Sequence, residues 1–133
     1  MSEHNIPAAN TFCWNELSTN NLDAAKKFYT DLLGWTLHTS DAAGMAYTEI
    51  EAAGRRIGGM YQQTPECGPA MPPHWMAYVA VEDVDVLAAR VPELGGKVCV
   101  GPMDIPNVGR FAVINDPTGA VISIITLAQN NSH

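Results

Sequence analysis

The residues best suited to chemistry in this chain open its first strand-like stretch, Phe12 to Thr19 (FCWNELST), where Glu16 stands two residues after Trp14. Alternate residues of an extended chain share a face, so Phe12, Trp14, Glu16 and Ser18 point one way and Cys13, Asn15, Leu17 and Thr19 the other. A carboxylate beside an indole in a sheet groove is partly desolvated. Desolvation makes it a better proton carrier, so Glu16 is the candidate catalytic acid or base. The competing reading of the same residue is an ion pair with Arg56 or another strand cation. A second group lies in His74 to Val81. There Ala77, Val79 and Val81 are uniformly apolar and suit burial under a helix, which leaves His74, Met76 and Tyr78 on the open face. His74 and Tyr78 are placed to orient a substrate oxygen, although His74 follows two prolines and equally suits a solvent-facing strand end. Trp14, Met76 and Tyr78 suit stacking and soft contacts with an aromatic or polycyclic ligand. Together these residues read as a ligand groove with apolar walls and a few polar groups, the competing reading being a second core or an oligomer interface.

The elements that must position these residues follow from spacing. Asn20 and Asn21 offer an N-cap, Leu22, Ala25, Phe28, Tyr29, Leu32 and Leu33 form one apolar stripe at helical spacing, and Gly34 ends the helix. On this pattern Phe28 and Tyr29 are core residues, and Asp23–Lys27 and Lys27–Asp31 are possible ion pairs. Strands are expected at 35–39, 45–51 and 55–62, with Gly58 and Gly59 tolerable in the last only if something lies close to the backbone. The stretch 64–73 (TPECGPAMPP) is the linker. The order then recurs: a strand at 75–81, a cap at Asp83 or Asp85, a helical stripe from Val84 to Leu94 distorted near its end by Pro92, and Gly95-Gly96. A strand at 97–101, a polar connection at 102–109 and a closing strand pair at 110–114 and 120–127 follow, turning at Asp116-Pro117-Thr118-Gly119. Asn21 matches Asp83 and Gly34 matches Gly96 at one offset, and Gly54 matches Gly119 at a slightly larger one. The chain therefore reads as one α+β domain over 1–133, two β-α-β-β-β repeats (about 11–63 and 74–128) whose curved sheets share a core or cavity.

Composition narrows the partners. A length of 133 residues is one domain's worth, and 47% hydrophobic residues is ordinary for a globule. A net charge of −7 with seven Lys and Arg argues against nucleic acid or an anionic membrane, both of which need clustered cations. Met1 to Pro7 is polar, and no apolar run is long enough to span a bilayer. Cys13, Cys67 and Cys99 are odd in number and show no CxxC, which favours reduced thiols and a cytoplasmic location. The Gly58-Gly59 pair lacks the helix and lysine of a phosphate loop.

The paired repeats, the stretch TNNLDAAKKFYTDLLGW and the ending DPTGAVIS resemble the vicinal oxygen chelate superfamily of glyoxalase I, extradiol dioxygenases and bleomycin-resistance proteins. Within it, FCWNELST, GGMYQ, PPHWMAYVAVEDVD and DIPNVGRFAVINDPTGAVIS are similar to the group related to lactoylglutathione lyase. The resemblance runs from about Phe12 to Thr126 and implies the glyoxalase-like fold. The superfamily's metal enzymes carry His or Glu at four strand positions, and the resemblance puts these at Trp14, Gly58, Met76 and Ser123. Indole, glycine, thioether and a lone hydroxyl are a poor ligand set, so no metal and no other cofactor is expected. The function this implies is a metal-independent enzyme, a lyase or isomerase acting on a small carbonyl or electrophilic metabolite. Glu16 would be its catalytic group, with Trp14, Arg56, His74, Met76, Tyr78 and Ser123 binding substrate. The alternative is a non-catalytic binder that sequesters a planar small molecule or antibiotic. Relatives of this size pair their chains, and exposed sheet edges invite it, so a homodimer is expected.

Overall fold

The computed structural model describes residues 8–40, 47–64, 71–105 and 108–128. The chain divides into two compact units. One runs from Trp14 to Met76; the other joins the segment ending at Cys13 to everything from Ala77 onward. The proline-rich linker lies partly outside the described residues, which omit 65–70.

The first unit is built from β1 (Phe12–Thr19), α1 (Leu22–Leu33), β2 (Thr36–Ser40), β3 (Tyr47–Ala52) and β4 (Arg55–Gln62). Phe12 and Cys13 of β1 belong to the second unit. Strand β1 runs parallel to β4, β4 antiparallel to β3, and β3 antiparallel to β2. A parallel pair needs a crossover, and α1 supplies it by lying on one face of the sheet. Beneath the helix Leu17, Ile50 and Met60 are buried, with Leu22, Ala25, Tyr29, Trp35, Leu37 and Ile57 packed around them. Each such buried side chain contributes about 1.5–3 kcal/mol of transfer free energy.

Local chemistry explains the helix. Asn21 accepts from the Ala24 backbone N–H at 3.1 Å, Gly34 takes the left-handed conformation at φ 70°, and Lys27 pairs with Asp31 at 2.8 Å. The apolar stripe is wider than the surface it covers. Tyr29 is half-buried, whereas Phe28, expected in the core, is 56% exposed, and Leu32 and Leu33 are exposed beside it. Tyr29 stacks on Trp35 with ring centroids 5.3 Å apart and receives a hydrogen bond from the Trp75 indole at 3.2 Å.

The second unit comprises β5 (His74–Ala80), α2 (Val84–Arg90), β6 (Lys97–Ile105), β7 (Gly109–Asn115) and β8 (Val121–Leu127), with His74–Met76 belonging to the first. Its sheet repeats the first: β5 parallel to β8, β8 antiparallel to β7, and β7 antiparallel to β6. Val81, Val84, Ala112 and Ile124 form its core, roofed by Leu87 of α2 and flanked by Val79 and Ile114. The apolar side of β5 thus lies under the helix, as its alternation predicts. Asp83 caps α2 by accepting from Asp85 and Val86. Pro92 cannot donate within a helix, and α2 stops before it and gives way to a 3-10 turn, Pro92–Leu94. The left-handed residue after that turn is Gly95, so Gly95 rather than Gly96 is the counterpart of Gly34. The segment after Gly101, expected as a polar connection, continues β6 through two register shifts to Ile105. Arg110 clamps this unit, donating to both carboxylate oxygens of Asp85 at 2.8 and 3.1 Å and to Asp104 at 3.2 Å.

Both units are β-α-β-β-β, and the chain is an α+β protein. Among the described residues no helix is long and apolar enough to cross a membrane.

Candidate functional site

The face of the first sheet turned away from α1 is where polar chemistry collects. Leu17 on β1, Leu37 on β2, Ile50 on β3 and Met60 on β4 lie on the helix side. Period-2 alternation therefore sends Trp14, Glu16, His38, Tyr47, Glu49 and Glu51 to the other side. The register sets Glu16 beside Gly59, and Gly59 beside Glu49. A bulge where Ile50/Glu51 of β3 meets β4 puts Ile57 among the helix-side residues and Arg56 opposite Glu51.

Two of the expected site residues meet here through a third that the sequence alone did not single out. The Tyr47 hydroxyl donates to Glu16 Oε2 at 2.8 Å and accepts from the Trp14 indole N–H at 3.0 Å. Tyr47 reaches them by crossing Gly59, where an added Cβ would stand 1.9 Å from the hydroxyl oxygen. The close approach expected at the glycine pair is thus present twice, since a Cβ on Gly58 would meet the Asn15 carbonyl oxygen at 2.4 Å. Burial, and after it the negative charge of Glu16, pushes the Tyr47 phenol far above its ordinary value of 10. The phenol is therefore a neutral donor near neutral pH, and Glu16 is the acceptor. The weak signal in the sequence was the period of β3 itself, which sets Tyr47 on the face of Glu49 and Glu51.

Arg56 does not take Glu16 as its partner. It pairs with Glu49 and lies 3.8 Å from Glu51, whose carboxylate also holds His38 Nε2 at 2.7 Å. Among the described residues this face is acidic: Glu16, Glu49 and Glu51 outnumber Arg56. His74 is half-buried and bonds locally, Nδ1 to the Pro72 carbonyl at 2.8 Å, while Met76 is partly buried further along the strand.

In the second unit Tyr78 and Ser123 are register partners, both buried, and Val113 flanks Ser123 on β7. Ser123 Oγ is fully buried with no hydrogen-bond partner among the described residues. This pair corrects the expected equivalence of the halves. Tyr78 lies beside Ser123 as Glu16 lies beside Gly59, and Met60 and Ile124 are the core residues that follow. The counterpart of Ser123 is therefore Gly59. Gly58, displaced by the β4 bulge, faces Ile50 on the helix side.

These placements also test the metal that the superfamily's enzymes hold. The Trp14 nitrogen carries a hydrogen and donates it, Gly59 has no side chain, and the space above Gly59 is filled by a neutral phenol. Such donors do not fit a zinc or nickel site, which needs lone pairs from imidazole, carboxylate or thiolate. Among the described residues no group of three or more His, Cys, Asp or Glu is gathered closely enough to hold a metal ion.

Comparison with known proteins agrees with the fold. The chain is 41% identical over 116 residues to CFP32 of Mycobacterium tuberculosis, whose name marks it as a candidate glyoxylase. That match takes in 86% of this chain and 43% of the relative. It is 34% identical over 123 residues to the anthracycline biosynthesis protein DnrV of Streptomyces peucetius, with 84% of this chain and 45% of that protein covered. The chain thus spans less than half the length of these curated relatives. Among solved structures, methylmalonyl-CoA epimerase from Mycobacterium tuberculosis superposes with a TM-score of 0.62 at 17% identity, covering 95% of each chain. The hypothetical protein BH1468 from Bacillus halodurans gives 0.68 at 12% identity, over 95% of this chain and 100% of that one. The family model described as Glyoxalase/Bleomycin resistance protein/Dioxygenase superfamily matches residues 11–124, and the chain belongs to that superfamily.

Proposed function

We propose that this chain is a cytoplasmic, homodimeric and metal-independent enzyme related to lactoylglutathione lyase, a lyase or isomerase that moves a proton on a small carbonyl or electrophilic metabolite. The observation that carries this reading is the 2.8 Å hydrogen bond from a neutral phenol, Tyr47, to Glu16. A carboxylate that accepts from a neutral phenol beside an indole is oriented as a base. It would take a proton from carbon next to the substrate carbonyl, the electron pair passing into the enolate, and return the proton to carbon. The acidic face favours a neutral or cationic substrate over an anionic one. Arg56, His74, Met76, Tyr78 and Ser123 are the proposed substrate contacts; among the described residues the Ser123 hydroxyl has no hydrogen-bond partner.

A second reading is a binder of planar molecules. It is favoured by Trp14, whose ring is anchored at its nitrogen by Tyr47, and by a 34% identical relative named for anthracycline biosynthesis. Two variants separate the readings, assayed in chelator-treated buffer. In the enzyme, Glu16→Gln lowers turnover by roughly a hundredfold or more and changes affinity little. In the binder, no turnover exists, and Trp14→Ala weakens affinity more than Glu16→Gln. Full turnover in Glu16→Gln overturns the enzyme reading.

A further inference from the structure

The hydrogen bonds at Tyr47 have a fixed direction. An indole nitrogen can only donate, and a phenol carries one hydrogen. While Glu16 is ionised, the chain of bonds therefore runs from Trp14 N–H to the Tyr47 oxygen and from the Tyr47 hydrogen to Glu16. Bonds in series polarise one another, so the charge on Glu16 strengthens the bond that holds Trp14. The fold does not ask for this hydroxyl. Thr48 sits beside Met60 in the first unit as Ala112 sits beside Ile124 in the second, so the counterpart of Tyr47 is Phe111. The ring recurs and the hydroxyl does not. What the hydroxyl does cost is side-chain space, because β4 must carry glycine beneath it while the second unit carries Ser123.

We propose that Tyr47 is the positioning residue of this site, and that its hydroxyl transmits the charge state of Glu16 to Trp14, coupling the acid–base group to the stacking wall. The functional meaning rests on the reading of Glu16 given above. A charge-assisted hydrogen bond is roughly twice as strong as a neutral one. When Glu16 takes up a proton, both bonds in the series weaken and Trp14 is released. By linkage, a ligand that stacks on Trp14 in its anchored position favours ionised Glu16. The other charged or titratable groups that the described strands set on this face are Glu49, Glu51, Arg56, His38 and Tyr61. Arg56 engages both glutamates, and His38 bonds to Glu51.

The test needs no ligand. In the ¹⁵N-labelled full chain at neutral pH, the Trp14 indole resonance, assigned by Trp14→Phe, is compared in wild type, Glu16→Gln, Tyr47→Phe and the double variant. Both single variants are expected to move it upfield, with no further movement in the double. Tyr47→Phe is expected to speed deuterium exchange at the Trp14 indole nitrogen by roughly tenfold, the factor for one typical hydrogen bond. Trp35 and Trp75 serve as unmoved references. An unmoved Trp14 in Glu16→Gln overturns the proposal, as do additive shifts in the double variant. If Tyr47→Phe does not fold, Glu16→Gln decides alone, since the amide occupies the place of the carboxylate. Lost turnover with an unmoved Trp14 leaves Glu16 as a base and removes the bridge; a moved Trp14 without turnover keeps the bridge and removes the enzyme.

Discussion

Tyr47 lies across Gly59 so closely that the phenol oxygen would stand 1.9 Å from a Cβ, with the ring carbon that bears it at 2.3 Å. One residue's side chain has taken the place of another's. Gly59→Ala is therefore expected to destabilise the protein by about 1–3 kcal/mol, the usual range for overpacking. Tyr47→Ala removes the obstacle, so Gly59→Ala added to it costs much less. Denaturant unfolding of the four proteins in this cycle measures the coupling, and additive losses contradict the contact.

The alkaline limb of stability should belong in part to Tyr47. Its phenol is pushed above the ordinary value of 10, chiefly by burial and next by Glu16. A raised native value means the unfolded chain ionises first. The contribution is complete below about pH 10 and is lost as the pH rises beyond it. The phenolate absorbance released as wild type unfolds at high pH should include the contribution of Tyr47, and Tyr47→Phe should remove that contribution. A Tyr47 that titrates at its ordinary value in the folded protein contradicts its burial.

On the acid side the sign is opposite. Hydrogen bonds from Arg110 hold Asp85 below its ordinary value of 3.8, and those from the Thr118 hydroxyl and the turn backbone do the same for Asp116. Depressed native values give stability that is present above about pH 4 and lost as the pH falls through them. Asp85→Asn and Asp116→Asn should each flatten the drop in denaturation midpoint below pH 4 and leave the slope between pH 5 and 7 unchanged. Because both carboxylates are at the surface, salt should shrink the Asp85 effect. A drop that neither variant alters assigns it elsewhere.

Phe28, Leu32 and Leu33 stand 56%, 63% and 52% exposed on α1. An apolar helix face of this kind suits a partner, and a two-fold homodimer is the simplest closed assembly. Sedimentation equilibrium at micromolar concentration should give twice the chain mass, and Leu32→Glu should shift it toward one. A wild-type particle of a single chain's mass contradicts the dimer.

Short-range rules were enough to read much of this protein from its amino acids. Alternation in β1 and β5 set Leu17 and Val79 toward the helices and Glu16 and Tyr78 away from them, because the side-chain period of a strand does not depend on the rest of the fold. The caps at Asn21 and Asp83, the stop at Gly34 and the turn glycines Gly54 and Gly119 were legible for the same reason: each satisfies backbone requirements within a few residues. The repeat of β-α-β-β-β followed from their order. Tertiary structure decided what depends on register between distant strands. The bulge in β4 shifts its phase by one residue, so Gly59 and not Gly58 stands beside Glu16, and no local pattern announces a bulge. Arg56 is drawn to Glu49 and Glu51 because the β3–β4 pairing brings them within reach. Phe28 has the periodicity of a core residue, yet it stands exposed on α1, because which part of an apolar stripe is covered depends on how the helix lies on the sheet. Tyr47 lies 31 residues from Glu16 in the chain and 2.8 Å from it in space. That proximity exists only once β1, β4 and β3 are hydrogen-bonded side by side and the strand between them gives up its side chain at Gly59.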